Sequence, residues 1–215
     1  MKLHFSHGSP FARKVRVVLA EKGLIYDPWP ADEMASPTLA VPVLEDRGQR
    51  IWESDTICDY LLRSYPEAGP GTEALKLSPW LTRPDQHWQD MNILATIATC
   101  ASSIINVRFL AGDGITPTIS DYLVKQQTRA QHCLDWLETQ VTDEGFAPGW
   151  FSVMDIGFIC AMVYVESRGL LAWRGRPKLE ALYERHQTRA SMLATPISPP
   201  PDVRPRYAVT RTAIA

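Results

Sequence analysis

Residues 1–24 read MKLHFSHGSPFARKVRVVLAEKGL, and the parsing of this stretch decides the fold. Leu3 and Phe5 alternate with more polar neighbours, the period of a short strand. Phe11, Val15, Val18 and Leu19 then recur at helical spacing, and Gly23 stands where a helix stops. Between strand and helix lies HGSPF, residues 7–11. A serine followed by proline is a favoured helix start, because the hydroxyl accepts from a free backbone N–H and proline occupies a position that needs no donor. Arg13, Lys14, Arg16 and Glu21 fall largely off the apolar stripe and are expected on an outward face.

Outward from this unit, the proline-rich stretch from Tyr26 to Ala40 is ambiguous. YDPWP (26–30) suits an extended edge, and ADEMASPTLA (31–40) allows at most a turn or two of helix. VPVLED, a turn at DRGQ, and RIWE read as a β-hairpin over 41–53. SDTICDYLLRSYPE is a helix with Ile57, Tyr60 and Leu61 inward, ended by Pro66. These elements define a first domain over 1–68, β-α-(β)-β-β-α, followed by a Pro- and Gly-rich linker over 69–82.

Every strong signal after the linker is helical, giving an all-helical domain over 83–195. Residues 85–112 form one long helix or a kinked pair. The segment 119–141 places Tyr122, Leu123, Leu134, Trp136 and Leu137 among polar residues. SVMDIGFICAMVYVESRG is apolar nearly all round, the mark of a buried central helix, and Ser152 with Asp155 resembles a capping box at its start. RPKLEALYERHQTRASM is the last amphipathic segment. The proline-laden tail over 196–215 is expected to lie as an arm on the surface.

Bulk properties narrow the functions. Charged residues make up 21% and apolar ones 45%, with a formal net charge of -2, so nothing points to nucleic acid or an anionic membrane. The membrane candidate VMDIGFICAMVYV is 13 residues long and carries Asp155, too short and too polar to span. No signal-peptide pattern opens the chain, which suits a cytoplasmic protein. Cys58, Cys100, Cys133 and Cys160 are far apart, with no zinc-like spacing, so reduced thiols and no metal site are expected.

An α/β half of roughly seventy residues joined to a helical half resembles the cytosolic glutathione transferases. The resemblance rests on SPFARKVRVVLAEKGL after the first strand, VPVLED and IWESDTI in the hairpin and next helix, and FSVMDIGFICAM in the helical half. It implies a thioredoxin-like N-terminal domain that binds glutathione, an all-α bundle that supplies a hydrophobic co-substrate pocket, and a homodimer. It departs from the family between Tyr26 and Val41, where only fourteen residues stand in place of a longer strand-and-helix segment.

The resemblance assigns roles residue by residue. Ser9 either caps its helix or also faces the glutathione sulfur; a serine there holds a thiolate without forming a mixed disulfide, which favours transferase over redox chemistry. Pro42 matches the cis proline of thioredoxin-like folds, whose bond turns the Val41 backbone toward an extended peptide. Glu53 and Ser54 match the pair that holds the γ-glutamyl ammonium and carboxylate, although Ser54 is equally a helix cap. His7, Phe11, Arg108 and Phe109 are candidates for the co-substrate pocket. Ser152 and Asp155 are assigned to folding. The implied activity is attack of the glutathione thiol on a small hydrophobic electrophile, a detoxifying transferase reaction with glutathione as co-substrate. The alternative is a relative that keeps the fold as a non-catalytic binding or regulatory protein.

Overall fold

The computed structural model describes residues 1–31, 36–66 and 84–198. The expected linker over 69–82 and nearly all of the expected arm over 196–215 lie outside the described residues. Four strands form one sheet in the order β2-β1-β3-β4: β1 (Lys2–Phe5), β2 (Asp27–Pro30), β3 (Val43–Asp46) and β4 (Gln49–Trp52). β2 runs parallel to β1, while β3 is antiparallel to both β1 and β4. YDPWP therefore contributes a genuine edge strand, and its prolines are tolerated because an edge needs fewer N–H donors. The β3–β4 turn passes through Arg47 and Gly48, both at positive φ, the geometry that matches the twist of a two-residue hairpin.

Helices α1 (Pro10–Glu21) and α2 (Ser54–Ser64) belong to the first half; α3 (His87–Gly112), α4 (Asp121–Gln140), α5 (Val153–Ser167), α6 (Pro177–His186) and α7 (Ala190–Leu193) to the second. The 85–112 segment resolves into one continuous 26-residue helix after a short 3-10 turn. Among the described residues it is also the one helix long and apolar enough to cross a membrane, with a mean hydropathy of 1.6 over its most apolar 18 residues, a length that the 15-residue 153–167 helix does not reach. One face of α3 packs on α4 and α5, which accounts for much of that apolarity in a packed bundle. Within α4, Leu123, Leu134 and Leu137 are buried as expected, but Tyr122 is exposed.

Helix α5 is buried along nearly its whole length, from Val153 to Met162 without interruption. α1 packs against it, and the buried core runs from Leu3, Val15, Val18 and Leu44 through Ile57 and Leu61 to Met154, Ile156, Phe158 and Trp173. The cations of α1 do not face solvent. Arg13, Lys14 and Arg16 are all buried, because α1 is covered by α2, α5 and the segment after α6. Each has its partners: Arg13 Nε donates to Thr195 O at 2.7 Å and Nη2 to Met192 O at 3.1 Å, and Arg16 Nη1 reaches Pro196 O at 3.4 Å. Glu21, also expected outside, receives the Arg189 guanidinium at 2.6 and 2.9 Å. Residues 189–196 are thus strapped across α1 by the polar groups that its helical pattern assigned to water. Cys58, Cys100 and Cys160 are buried free thiols, and Cys133 is free and half-buried.

The start of α5 is fixed by a capping box. Ser152 Oγ accepts from Asp155 N at 3.2 Å, while Asp155 Oδ2 accepts from Ser152 N at 2.7 Å and Oδ1 from Phe146 N at 3.0 Å. Gly145, at φ +117, passes so close that a Cβ there would stand 2.8 Å from Asp155 Oδ1. Burial pushes the Asp155 carboxyl up from 3.8 to about 6, against the hydrogen bonds from Ser152 and Phe146. The folded protein therefore holds this proton more tightly than the unfolded chain. The stability this adds is full below pH 3.8 and is lost as pH rises through about 6. Asp155→Ala strands the Phe146 and Ser152 donors, and a buried donor left unpaired costs about 1–3 kcal/mol. At about 2–4 °C per kcal/mol for a chain of this size, the melting midpoint by circular dichroism should fall by roughly 5–10 °C. Asp155→Asn keeps an acceptor, and its stability should lack the decline of the parent between the two pKa values.

Candidate functional site

The strand register brings the predicted residues to one end of the sheet. His4 pairs with Val43, and Val43 pairs with Trp52. The loop leaving β1 toward Ser9, the Val41–Pro42 entry to β3, and the Glu53–Ser54 exit from β4 must therefore lie side by side. These segments are separated in sequence, and only the sheet order makes them neighbours.

Ser9 is the N-cap of α1, extended at φ -87 and ψ 124, and its Oγ accepts from Ala12 N at 3.2 Å. Pro10 follows as the first helical residue. In this arrangement the hydroxyl oxygen serves the helix while its proton stays free to donate to a ligand. The loop before it is tied from several sides. Gly8 N donates to Ser6 Oγ at 3.3 Å, Ser9 N to Ser6 O at 3.1 Å, and Ser198 N to His7 O at 3.0 Å. Arg168, at the end of α5, donates through Nη2 to Ser198 O at 3.0 Å and reaches Gly8 O at 3.5 Å.

The Val41–Pro42 peptide is cis, with Pro42 buried and Val41 half-buried directly before β3. Glu53 sits at φ 65 and ψ 127, a strained backbone for a residue with a side chain, of the kind that costs about 1–3 kcal/mol and gathers at functional sites. It is Glu53, not Ser54, that occupies the N-cap of α2; Ser54 is the first helical residue and is buried. The expectation that Ser54 caps the helix is corrected accordingly. The Glu53 side chain makes no cap hydrogen bond, so among the described residues the first N–H groups of the helix are open to another acceptor. The Glu53 side chain is exposed beside them.

The four co-substrate candidates are distributed differently. His7 is exposed on the first loop, with its ring 4.8 Å from Phe5, and burial together with Arg16 lowers its pKa. Phe11 is half-buried against the core on the first turn of α1. Arg108 and Phe109 belong to α3; Phe109 is 50% exposed, and the Arg108 charge lies close enough to Arg168 to depress its pKa, beneath the larger effect of burial. Arg168, which reaches the first loop at Gly8 O, carried no signal in the sequence, since one arginine after a helix reads as a surface charge. No group of three or more His, Cys, Asp or Glu side chains among the described residues is placed to hold a metal ion.

Residues 3–70 match the glutathione S-transferase N-terminal domain family. The fold is the glutathione transferase fold. Over its length the chain superposes on a glutathione S-transferase of Methylobacterium radiotolerans, solved with glutathione sulfonate, with a TM-score of 0.79 at 22% identity, covering 96% of this chain and 98% of that one. A glutathione transferase family member of Pseudomonas fluorescens Pf-5, solved with S-(propanoic acid)-glutathione, gives a TM-score of 0.72 at 25% identity over 94% of this chain and all 100% of the other. In sequence, the chain is 26% identical over 210 residues to the uncharacterized GST-like protein YibF of Escherichia coli (strain K12), covering 91% and 98% of the two chains. The short Tyr26–Val41 segment still holds its edge strand.

The cap itself is open to direct measurement. Ser9→Ala removes the acceptor for Ala12 N and should cost about 1 kcal/mol of unfolding free energy, whereas Ser9→Gly should cost only a few tenths. Urea titration followed by fluorescence distinguishes the two values.

Proposed function

We propose that the chain is a glutathione transferase whose α1 N-terminus and Ser9 hold the glutathione thiol as a thiolate for attack on a small hydrophobic electrophile. The observation that carries this reading is the lateral order of the site. From β1 across β3 to β4 the Ser9 loop, Val41–Pro42 and Glu53–Ser54 succeed one another at strand spacing, so the first and last lie about 10 Å apart. Three extended residues reach about 10 Å. A γ-glutamyl-cysteinyl-glycine peptide laid across the strand ends would meet Glu53, Ser54 and the α2 N–H groups with its γ-glutamyl ammonium and carboxylate, and pair its cysteinyl backbone with Val41. Its sulfur would then lie at Ser9. The glutathione sulfonate and S-(propanoic acid)-glutathione bound by the solved relatives support the same ligand.

Chemically, the Ser9 proton donates to the sulfur, and the positive end of α1 favours its charged form. The thiol proton leaves to solvent. The sulfur lone pair forms the new C–S bond at an alkyl or aryl halide, an epoxide or an activated alkene, and the leaving group or opened oxygen takes the displaced electron pair. His7, Phe11, Arg108 and Phe109 supply the co-substrate side. The setting is a cytoplasmic, detoxifying one, with no nucleic acid or membrane as partner.

Retention on immobilised glutathione and turnover of 1-chloro-2,4-dinitrobenzene test the reading. Ser9→Gly should melt almost normally and lose most turnover; full activity in that variant would remove Ser9 from the chemistry. Glu53→Gln should weaken glutathione binding about tenfold or more in calorimetric titration, through loss of a charge-assisted hydrogen bond. Retention without any turnover would instead assign the chain a binding or regulatory role.

A second copy of the chain is the proposed occupant of the α3–α4 face. Trp88 is 77% and Met91 40% exposed there, beside a groove lined by Asn92, Ala95, Thr96, Thr99, Cys133 and Trp136. An apolar face of this kind on a helix already rich in apolar residues suits self-association. Light scattering at micromolar concentration should give twice the 24.2 kDa chain mass, and Trp88→Glu with Met91→Glu should return it to the single-chain value.

A further inference from the structure

Lys14 is the least expected residue in the first half. Its side chain is 6% exposed, and its ammonium pairs with Asp55 on α2. Burial works against the charged form, yet pairing with Asp55 outweighs it and the lysine pKa is raised. Cys58 and Cys160 flank the ammonium, with thiols pushed up to about 12 and about 11 by burial and therefore neutral. The aliphatic stem runs over Gly157 of α5, where an added Cβ would stand 3.4 Å from Lys14 Cδ. Buried ion pairs seldom stabilise a protein more than apolar residues of similar volume would. The space made for this lysine between α1, α2 and α5 therefore calls for a role other than stability.

Asp55 supplies that role. It is the second residue of α2, and an aspartate in the first turn of a helix is drawn to the free N–H groups at its end. Those are the groups that the Glu53 side chain leaves uncapped. An unrestrained Asp55, 36% exposed on its side chain, would turn to them and occupy the place of an incoming carboxylate. We propose that Lys14 is a positioning residue for ligand binding: its buried ammonium draws the Asp55 carboxylate inward and keeps the N-terminus of α2 open for the α-carboxylate of the γ-glutamyl group. The inference rests on the glutathione reading and adds to it a residue two helices away from the ligand. It requires an asymmetry that a purely structural ion pair lacks. Loss of Lys14 leaves a competing carboxylate at the site, whereas loss of the Asp55 charge does not.

Calorimetric titration of the full chain with glutathione and with γ-aminobutyryl-cysteinylglycine, which lacks only the α-carboxylate, tests this asymmetry, with melting curves alongside. Lys14→Met should raise the dissociation constant for glutathione by about tenfold or more, a change of the size expected when one strong contact is lost. The same variant should bind the decarboxylated analogue nearly as the parent does. Asp55→Asn and the double variant K14M/D55N should both bind glutathione about as tightly as the parent, whatever their melting temperatures. Unchanged glutathione affinity in Lys14→Met overturns the proposal, as does an equal loss in Lys14→Met and Asp55→Asn. Should Lys14→Met fail to fold, weakened binding by Asp55→Asn or by the double variant overturns it equally, since neither carries the competing charge. A parent chain that binds no glutathione overturns the glutathione reading itself, and this inference with it.

Discussion

The structure depends on α1 being covered on nearly every side. It shares a core with the sheet residues Leu3, Phe5 and Leu44, packs against α2 and α5, and lies beneath the segment that follows α6. A helix so enclosed cannot leave cations in its sequence unpaired, because an isolated buried charge costs far more than packing returns. Arg13 and Arg16 meet backbone carbonyls of the strap, Lys14 meets Asp55, and Glu21 meets Arg189. The two halves of the chain are therefore joined by an apolar core and by a ring of polar contacts around α1. The residue at the tip of this helix is Ser9, so whatever holds α1 also holds the candidate thiol site.

The two helix ends at the site differ in how their free N–H groups are satisfied. α1 has a serine cap, a proline at its first position and a loop fastened by Ser198 and Arg168. α2 has an N-cap residue without a side-chain cap hydrogen bond, a strained Glu53 and a first-turn aspartate paired with Lys14. A closed end carrying a hydroxyl proton and an open end carrying unpaired donors suit different parts of a ligand: a sulfur that needs one hydrogen bond, and a carboxylate that accepts several.

Much of this was legible in the sequence where local chemistry decides conformation. The strand at Leu3 and Phe5, the Ser-Pro helix start, the hairpin turn at Arg47–Gly48 and the Ser152–Asp155 box each depend on a few adjacent residues. The buried character of α5 also showed, because a helix apolar all round has no other stable environment. The same rule misplaced Arg13, Lys14, Arg16 and Glu21: an amphipathic pattern identifies the face that enters the first core but not what later covers the other face. The edge strand at Asp27–Pro30 was legible as an extended edge despite its prolines, but not as certainly as the hairpin.

By itself the sequence determined the elements, their caps and the residue types available at each helix end, because propensity, capping and turn geometry act over a few residues. Only the tertiary structure decided which of these ends meet. Ser9, Val41 and Glu53 lie far apart in the chain, and antiparallel pairing of β3 with β1 and β4 is what aligns them. The partners of Lys14 and Arg168 were likewise decided by packing, since a charge finds its counter-charge or carbonyl across elements whose approach no local pattern encodes. Hydrogen bonds and burial at a distance are set by where the chain folds back, and that is settled by the whole core at once.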